Sequence, residues 1–365
     1  MDRHNNKQLL RLAALVIILG LAGCQDVYIP ELNVENNHLV VDGLITDQPG
    51  PHVVNLGYTG IYGELRHRRA ATGATVFISD SGGREIQLQE FYAGQYMTPV
   101  GFSAEVGESY VLHIRLPDGE EYRSSPQEVR PPVKLENIEA RVGSDFQYFD
   151  SNISDRLYQR EFIGKHVYIE TTPQKEAPPL FRFNTRLLLQ YAFSGNGGGQ
   201  EPPPMNYCWE YRDITKVVRR EVSRPESNRI RTAFIPRSPE EMRHYNFPPR
   251  TYMSPKVIMM ELYALNKESH NYYLNKYNQL SDEGHIFDPI AAQLPSNIES
   301  VGDPDNQAFG LFEASAVSKR GFRIIMNYRE NTAAIYPWST TAHISTSGCL
   351  VEERPPFWIS LPGMP

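Results

Sequence analysis

The chain has 365 residues, 40% of them apolar and 22% charged, which is enough for two domains with substantial cores and excludes disorder as the default state. Its formal charge of −7 excludes a nucleic-acid partner, which would need basic stripes for its phosphates, and electrostatic adhesion to an anionic lipid surface.

The first element is an export signal over residues 1–23. A basic head (Arg3, His4, Lys7) precedes an apolar run from Leu9 to Leu21 that is too short for a spanning helix and is interrupted by Gly20. The run ends in Leu21-Ala22-Gly23-Cys24, the order of a bacterial lipoprotein signal, so Cys24 is expected to become the lipidated mature N-terminus and to hold the chain stably at a membrane. The signal carries Arg3, Lys7 and Arg11 against Asp2, a net +2, so the remainder moves from −7 to −9. Residues 24–37 read as the lipidated cysteine and a polar tether, with Pro30 within it.

From residue 38 the pattern becomes that of short strands. Leu39–Ile45, His52–Leu56, Ala74–Ile78, Glu85–Leu88 and Tyr110–Ile114 are β-branched or alternating runs. Between them stand turn sequences at Gln48–Pro51, Asp80–Gly83, Ala93–Gly94 and Pro117–Gly119. This spacing predicts an antiparallel sandwich over 38–130. The tract Arg66-His67-Arg68-Arg69 falls in a loop of that sandwich and reads foremost as a solvated turn.

Pro131-Pro132 cannot continue a central strand and places the domain junction near residue 131. Residues 131–365 carry longer strand candidates: Lys165–Thr171, Phe181–Phe193, Ile230–Ile235, Val257–Leu265, Ala308–Val317 and Phe322–Tyr328. They predict a second, larger β-rich domain. One helix is expected from near Ser269, where Tyr273, Tyr277 and Leu280 recur at helical spacing with Leu274 beside them, and Gly284 is expected to stop it. At that spacing the tyrosines read as the face that packs on a sheet rather than as a ligand platform. The segment Gly195–Pro204, with Gly197, Gly198 and Pro203, reads as an exposed loop and a possible partner contact.

Cys208 and Cys349 remain once Cys24 is acylated. In an oxidising compartment they are expected to pair if the fold brings their Cα atoms within about 7 Å, and otherwise to be two separate buried thiols.

The search for chemistry finds no Gly-x-Ser-x-Gly, no Gly-x-x-x-x-Gly-Lys and no His-Glu-x-x-His. Asp282, Glu283, His285 and Asp288 read as a polar helix end, and Asp303, Asp305 and Asn306 as turn residues, rather than as metal sites. A carboxylate pair for glycoside hydrolysis is a matter of fold and not of spacing, and nothing singles one out. Aromatic content of 11%, with Trp209, Trp338 and Trp358, suits sugar stacking, a protein interface or the faces of β-sheets. No catalytic residue, cofactor or metal is expected.

Several runs together carry a resemblance. Leu39–Pro51, Gly73–Val76, Gly94–Tyr96, Tyr110–Ile114, Gly119–Tyr122, Cys208-Trp209, the tyrosine helix, Gly284–Pro289, Asn297-Ile298 and Gly310–Ser315 occur in an order that resembles the DUF4249 family of Bacteroidota lipoproteins. Where that pattern suggests a glycine-asparagine turn, this chain has Leu294-Pro295-Ser296-Asn297. The resemblance implies an outer-membrane-associated lipoprotein, commonly encoded beside TonB-dependent receptors that carry a carboxypeptidase-regulatory-like domain. It implies no catalytic residues.

The expectation is therefore an all-β chain: an immunoglobulin-like or carboxypeptidase-regulatory-like sandwich followed by a larger β-rich domain with one helix. Its expected function is that of a non-catalytic accessory of a TonB-dependent receptor, lipid-anchored at the outer membrane, contacting its partner through Arg66, Arg68 and Arg69 or through Gly197, Gly198 and Pro203. The alternative is a surface lipoprotein that binds a glycan or nutrient.

Overall fold

Strand β1 (Leu39–Thr46) alternates buried and outward residues, Leu39, Val41 and Ile45 all lying within the core. It pairs antiparallel with β2 (Val53–Tyr58), Leu39 standing opposite Tyr58. The computed structural model describes residues 38–60, 69–150, 157–172, 179–194, 205–213, 223, 229–236, 252–281, 294–304, 306–324 and 333–337, and the architecture is all-β. The signal, Cys24 and the tether fall outside the described residues, as do Gly284, the loop Gly195–Pro204 and the end of the strand expected over Phe322–Tyr328.

Three more of the expected strands form as β3 (Thr75–Asp80), β4 (Glu85–Gln87) and β7 (Ser109–Arg115), joined by short ones that carry too little alternation to stand out: β5 (Gln89–Tyr92), β6 (Gln95–Met97), β8 (Glu121–Ser124) and β9 (Gln127–Glu128). The chain crosses from one sheet to the other between β4 and β5, where Leu88 donates its N–H to Val76 at 2.9 Å. The sandwich encloses one core around Leu39, Val54, Ile78, Leu112, Ile114 and Phe312.

Two strands of this sandwich come from far along the chain. Strand β16 (Ile298–Ser300) extends the sheet ordered β16-β8-β7-β3-β4, and β17 (Phe309–Ser315) extends the sheet ordered β17-β1-β2-β6-β5, where it runs parallel to β1. The sandwich expected over 38–130 thus draws two strands from the segment assigned to the second domain. Gly310 explains how closely β17 lies on β1: its φ is +103°, and a Cβ there would overlap the Val41 carbonyl.

The remaining strands are β10 (Leu135–Asp150), β11 (Leu157–Thr171), β12 (Phe181–Ser194), β13 (Met205–Asp213), β14 (Arg229–Pro236), β15 (Tyr252–Ala264), β18 (Val317–Ile324) and β19 (Ala333–Pro337). They form a three-stranded sheet, β10-β11-β14, and a five-stranded sheet, β13-β12-β15-β18-β19. A second core of Val167, Ile169, Phe181, Phe183, Phe234, Met260, Leu262 and Phe322 draws on both sheets. The helix α1 (Lys267–Ser281) begins two residues before the expected start because Asn266 caps it, its side-chain oxygen accepting the Ser269 N–H at 2.8 Å.

In the long hairpin β10–β11, Gly143 stands opposite Gly164. On one side of that pair Ile138, Ala140, Val167 and Ile169 are buried. On the other side the same face turns outward, carrying Phe146 and Ile163, with Val142 exposed just before the pair, while Asp145 and Phe162 turn inward. Neither glycine has room for a side chain: a Cβ on Gly143 would enter the His166 ring and one on Gly164 the Ile235 carbonyl. The bare pair lets the ribbon roll from one buried face to the other.

Candidate functional site

Strand β17 is buried on both faces, since Phe312 and Ala314 face the sandwich core while Leu311, Glu313 and Ser315 face the other way. An ionised carboxylate in such a strand needs partners. The Glu313 side chain is 1% exposed, and Oε2 accepts from Arg182 Nε on β12 at 2.9 Å and from the Tyr273 hydroxyl on α1 at 2.7 Å. Its Oε1 accepts from the Ser315 hydroxyl at 2.6 Å. The Arg182 guanidinium lies over the ring of Tyr263 at 3.8 Å and of Tyr273 at 5.0 Å. Beyond it, Tyr263 donates to Glu261 at 3.0 Å, and Lys319 stands 3.8 Å from the same carboxylate.

Burial opposes the charge on Arg182, but the Glu313 carboxylate outweighs it and holds the guanidinium more firmly protonated than in water. Burial raises both tyrosines, and the facing carboxylates raise them further, Glu313 for Tyr273 and Glu261 for Tyr263. Both phenols therefore stay neutral donors across the physiological range. The arrangement is a polar joint between a sandwich strand, the helix and the second sheet, in which both oxygens of the Glu313 carboxylate are engaged.

A second joint lies nearby. Gln127 is fully buried; its Oε1 accepts from Asn266 at 2.7 Å and from the Ser269 hydroxyl at 3.0 Å, and its Nε2 donates to Glu268 at 2.8 Å. His270 Nε2 donates to the Ser223 carbonyl at 2.9 Å, and the Ser223 hydroxyl accepts the Phe181 N–H. Beside this joint is an open cleft of about 360 Å³ lined by Glu128, Arg130, Pro131, Val133, Leu265 and Lys267.

Strand polarity separates two ends of the sandwich. At one end lie His38, Tyr58 and Arg69: the Thr59 N–H donates to the His38 carbonyl at 3.0 Å and the Tyr58 N–H to the Arg69 carbonyl at 2.8 Å. At the other end the second sheet is joined, the Val317 N–H donating to Asp47 Oδ1 at 2.8 Å and the Ala264 N–H to the Ala316 carbonyl at 2.9 Å.

Two surfaces carry exposed apolar groups. On the sheet-edge strand β5 a register shift between Glu90 and Tyr92 leaves Phe91 without a cross-strand partner, and both aromatics point outward, 66% and 63% exposed, their rings edge to face at 4.9 Å. On the β10–β11 ribbon, Val142, Ile163 and Phe146 form an exposed stripe, of which Ile163 and Phe146 lie beyond Gly164, the last residue of β11 that pairs with β14.

Of the expected site residues, Arg69 is exposed and lies over the Tyr58 ring at 4.5 Å, and Cys208 is on β13 opposite Tyr191. Cys24, Arg66, Arg68, Gly197, Gly198, Pro203 and Cys349 fall outside the described residues. Asp303 accepts the Asn306 N–H at 3.1 Å through its carbonyl, and Asn306 donates to the Tyr122 hydroxyl at 2.9 Å, so both shape a turn. Among the described residues no three His, Cys, Asp or Glu side chains stand together in a metal-holding group. Glu313 had one signal in the sequence, a lone carboxylate within the apolar run Ala308–Val317. Asn297, where the family pattern departs, uses its side-chain amide as a strand would: Nδ2 donates to the Phe312 carbonyl at 2.8 Å and Oδ1 accepts the Phe312 N–H at 2.9 Å.

Neither a curated protein nor a solved structure matches the chain. A family model described as a domain of unknown function, DUF4249, matches residues 25–321, a span that takes in both joints and the strands β16 and β17, and the chain belongs to that family.

Proposed function

We propose that the chain is a non-catalytic outer-membrane lipoprotein of Bacteroidota, tethered through Cys24, that serves as an interaction subunit of a TonB-dependent receptor system. The observation that carries this reading is the stripe Val142–Ile163–Phe146 on a ribbon whose opposite face is already buried. Exposed apolar residues lined up on a two-stranded ribbon suit a protein partner that covers them. The joint around Glu313 supports the non-catalytic part of the reading, since Arg182, Tyr273 and Ser315 occupy its buried carboxylate.

Affinity purification of the native protein from membranes in mild detergent tests it. Recovery of a large barrel receptor is expected, with about a tenfold loss for Phe146→Asp at unchanged melting temperature. Repeated recovery of no barrel protein overturns the reading.

The cleft of about 360 Å³ favours a second reading, a glycan- or nutrient-binding lipoprotein. Saturable heat on titration with polysaccharide fractions, abolished by blocking the cleft with Arg130→Trp at unchanged melting temperature, would place the chain there instead.

A further inference from the structure

We infer that the end of the sandwich holding His38, together with the adjoining edge strand β5, rests on the lipid surface, with Phe91, Tyr92, Tyr58 and Arg69 meeting the headgroup layer. The inference rests on the reading of Cys24 as the lipidated residue and adds to it an orientation.

Thirteen residues separate Cys24 from His38, so the anchor and the first residue of the sandwich are never more than about 50 Å apart. The tether attaches at one particular end of the molecule, the end where the Thr59 N–H meets the His38 carbonyl, and keeps that end near the bilayer, while the side chains it carries set the orientation. A contact made by a tethered surface acts at an effective concentration of about millimolar, so a weak affinity suffices.

The chemistry of that end fits a membrane interface. The chain around Arg69 prolongs the lane of β6, since Arg69 accepts from Tyr58 and Ala71 donates to Leu56, while the Gly94 carbonyl accepts the Leu56 N–H. The β5–β6 turn thus points toward the tethered end, and Tyr92 stands one residue before it. Phe91 and Tyr92 offer two rings in edge-to-face contact, and aromatic rings favour the headgroup layer. The exposed Arg69 guanidinium lies over the Tyr58 ring, and its edge N–H groups can still meet a phosphate.

The carboxylates at this end are committed to local structure. Glu90 accepts the N–H groups of Gly73 and Gly94, Glu120 accepts the Tyr122 hydroxyl, and Asp118 accepts the Glu120 N–H. Contact therefore depends on the rings more than on net charge. A consequence is that the five-stranded sheet β13-β12-β15-β18-β19, joined at the far end through Asp47–Val317, meets the sandwich about the length of β1 away from the membrane, roughly 25 Å for eight residues.

The test uses the mature protein purified from membranes with its own anchor and placed in phosphatidylethanolamine–phosphatidylglycerol vesicles whose acyl chains are brominated. Phe91→Trp is compared with Val100→Trp, a residue 88% exposed in the turn beside Gly50 and Gly101, at the far end. Both variants share the background of Trp209, Trp338 and Trp358. The added fluorescence of Phe91→Trp should be quenched at least about twofold more than that of Val100→Trp, with little change on adding salt. Equal quenching in a protein whose amino-terminal peptide carries the acyl mass overturns the orientation and leaves the anchor standing; an amino terminus without acyl mass overturns both. Photocrosslinking from position 92 in cells that captures a membrane protein and no lipid assigns the surface to the receptor and overturns the lipid contact.

Discussion

Arg182 and Glu313, 131 positions apart in the sequence, meet at 2.9 Å and tie the second sheet to a strand of the first sandwich. Removing one member leaves the other charged and buried, which costs about 3–5 kcal/mol in pairs of this kind. Arg182→Met should lower the urea midpoint accordingly. The double variant Arg182→Met/Glu313→Leu should recover much of that loss, because an apolar pair removes both charges together. Equal losses in the single and double variants would show that packing, and not charge, dominates the joint.

Asn297 completes the ladder at Phe312 with its side chain. Asn297→Ala leaves an N–H and a carbonyl of a buried strand unpaired and should cost about 1–3 kcal/mol in denaturant unfolding. Asn297→Asp keeps the acceptor and loses the donor, so it too should destabilise at neutral pH.

Residues 38–130 should not fold by themselves. Ile298 and Phe312, supplied from the far part of the chain, fill the sandwich core, and each contributes about 1.5–3 kcal/mol on burial. The 38–130 fragment should give a poorly dispersed NMR spectrum, whereas a chain spanning 38–324 gives a dispersed one. A well-dispersed spectrum from the fragment would make β16 and β17 dispensable.

Burial lowers the His52 imidazole below its usual 6.5, and the His52 Nε2 has no hydrogen-bond partner among the described residues. Burial lowers His113 also, where it stacks on Phe77 at 4.5 Å. The unfolded chain binds these protons first, so the stability they contribute is complete above pH 6.5 and is lost as pH falls toward their folded values. Melting temperature should fall between about pH 7 and pH 5, and His52→Phe should flatten part of that slope. Glu90, held low by the Gly73 and Gly94 N–H groups, loses its contribution as pH falls from the usual carboxylate value of 4.5 downward, below the window of this test.

Much of the strand content was legible because Leu39–Ile45 or Phe181–Phe193 alternate strongly and are closed by turn residues. The helix was legible from Tyr273 and Tyr277, and the first of these packs into the joint as that spacing suggests. Strand β10 was not, because its face changes at Gly143 and breaks the period of two on which such readings depend. The run Ala308–Val317 was visible as strand, but its neighbour was not: parallel pairing across the length of the chain leaves no local trace. The exposed Phe91 and Tyr92 escaped notice for a related reason, since a bulged edge strand looks like any short aromatic run.

The parallel pairing of β1 with β17 also bears on how the chain comes to be made. Asp47 and its partner Val317 lie 270 positions apart, so the first strand to emerge waits for almost the last before its sheet is complete. Contacts of such long range form slowly, and until they do an apolar strand edge stays open to other chains. An export route that keeps the polypeptide unfolded until it has crossed suits this topology, because early folding of the leading segment would only expose the flank that β17 is meant to cover.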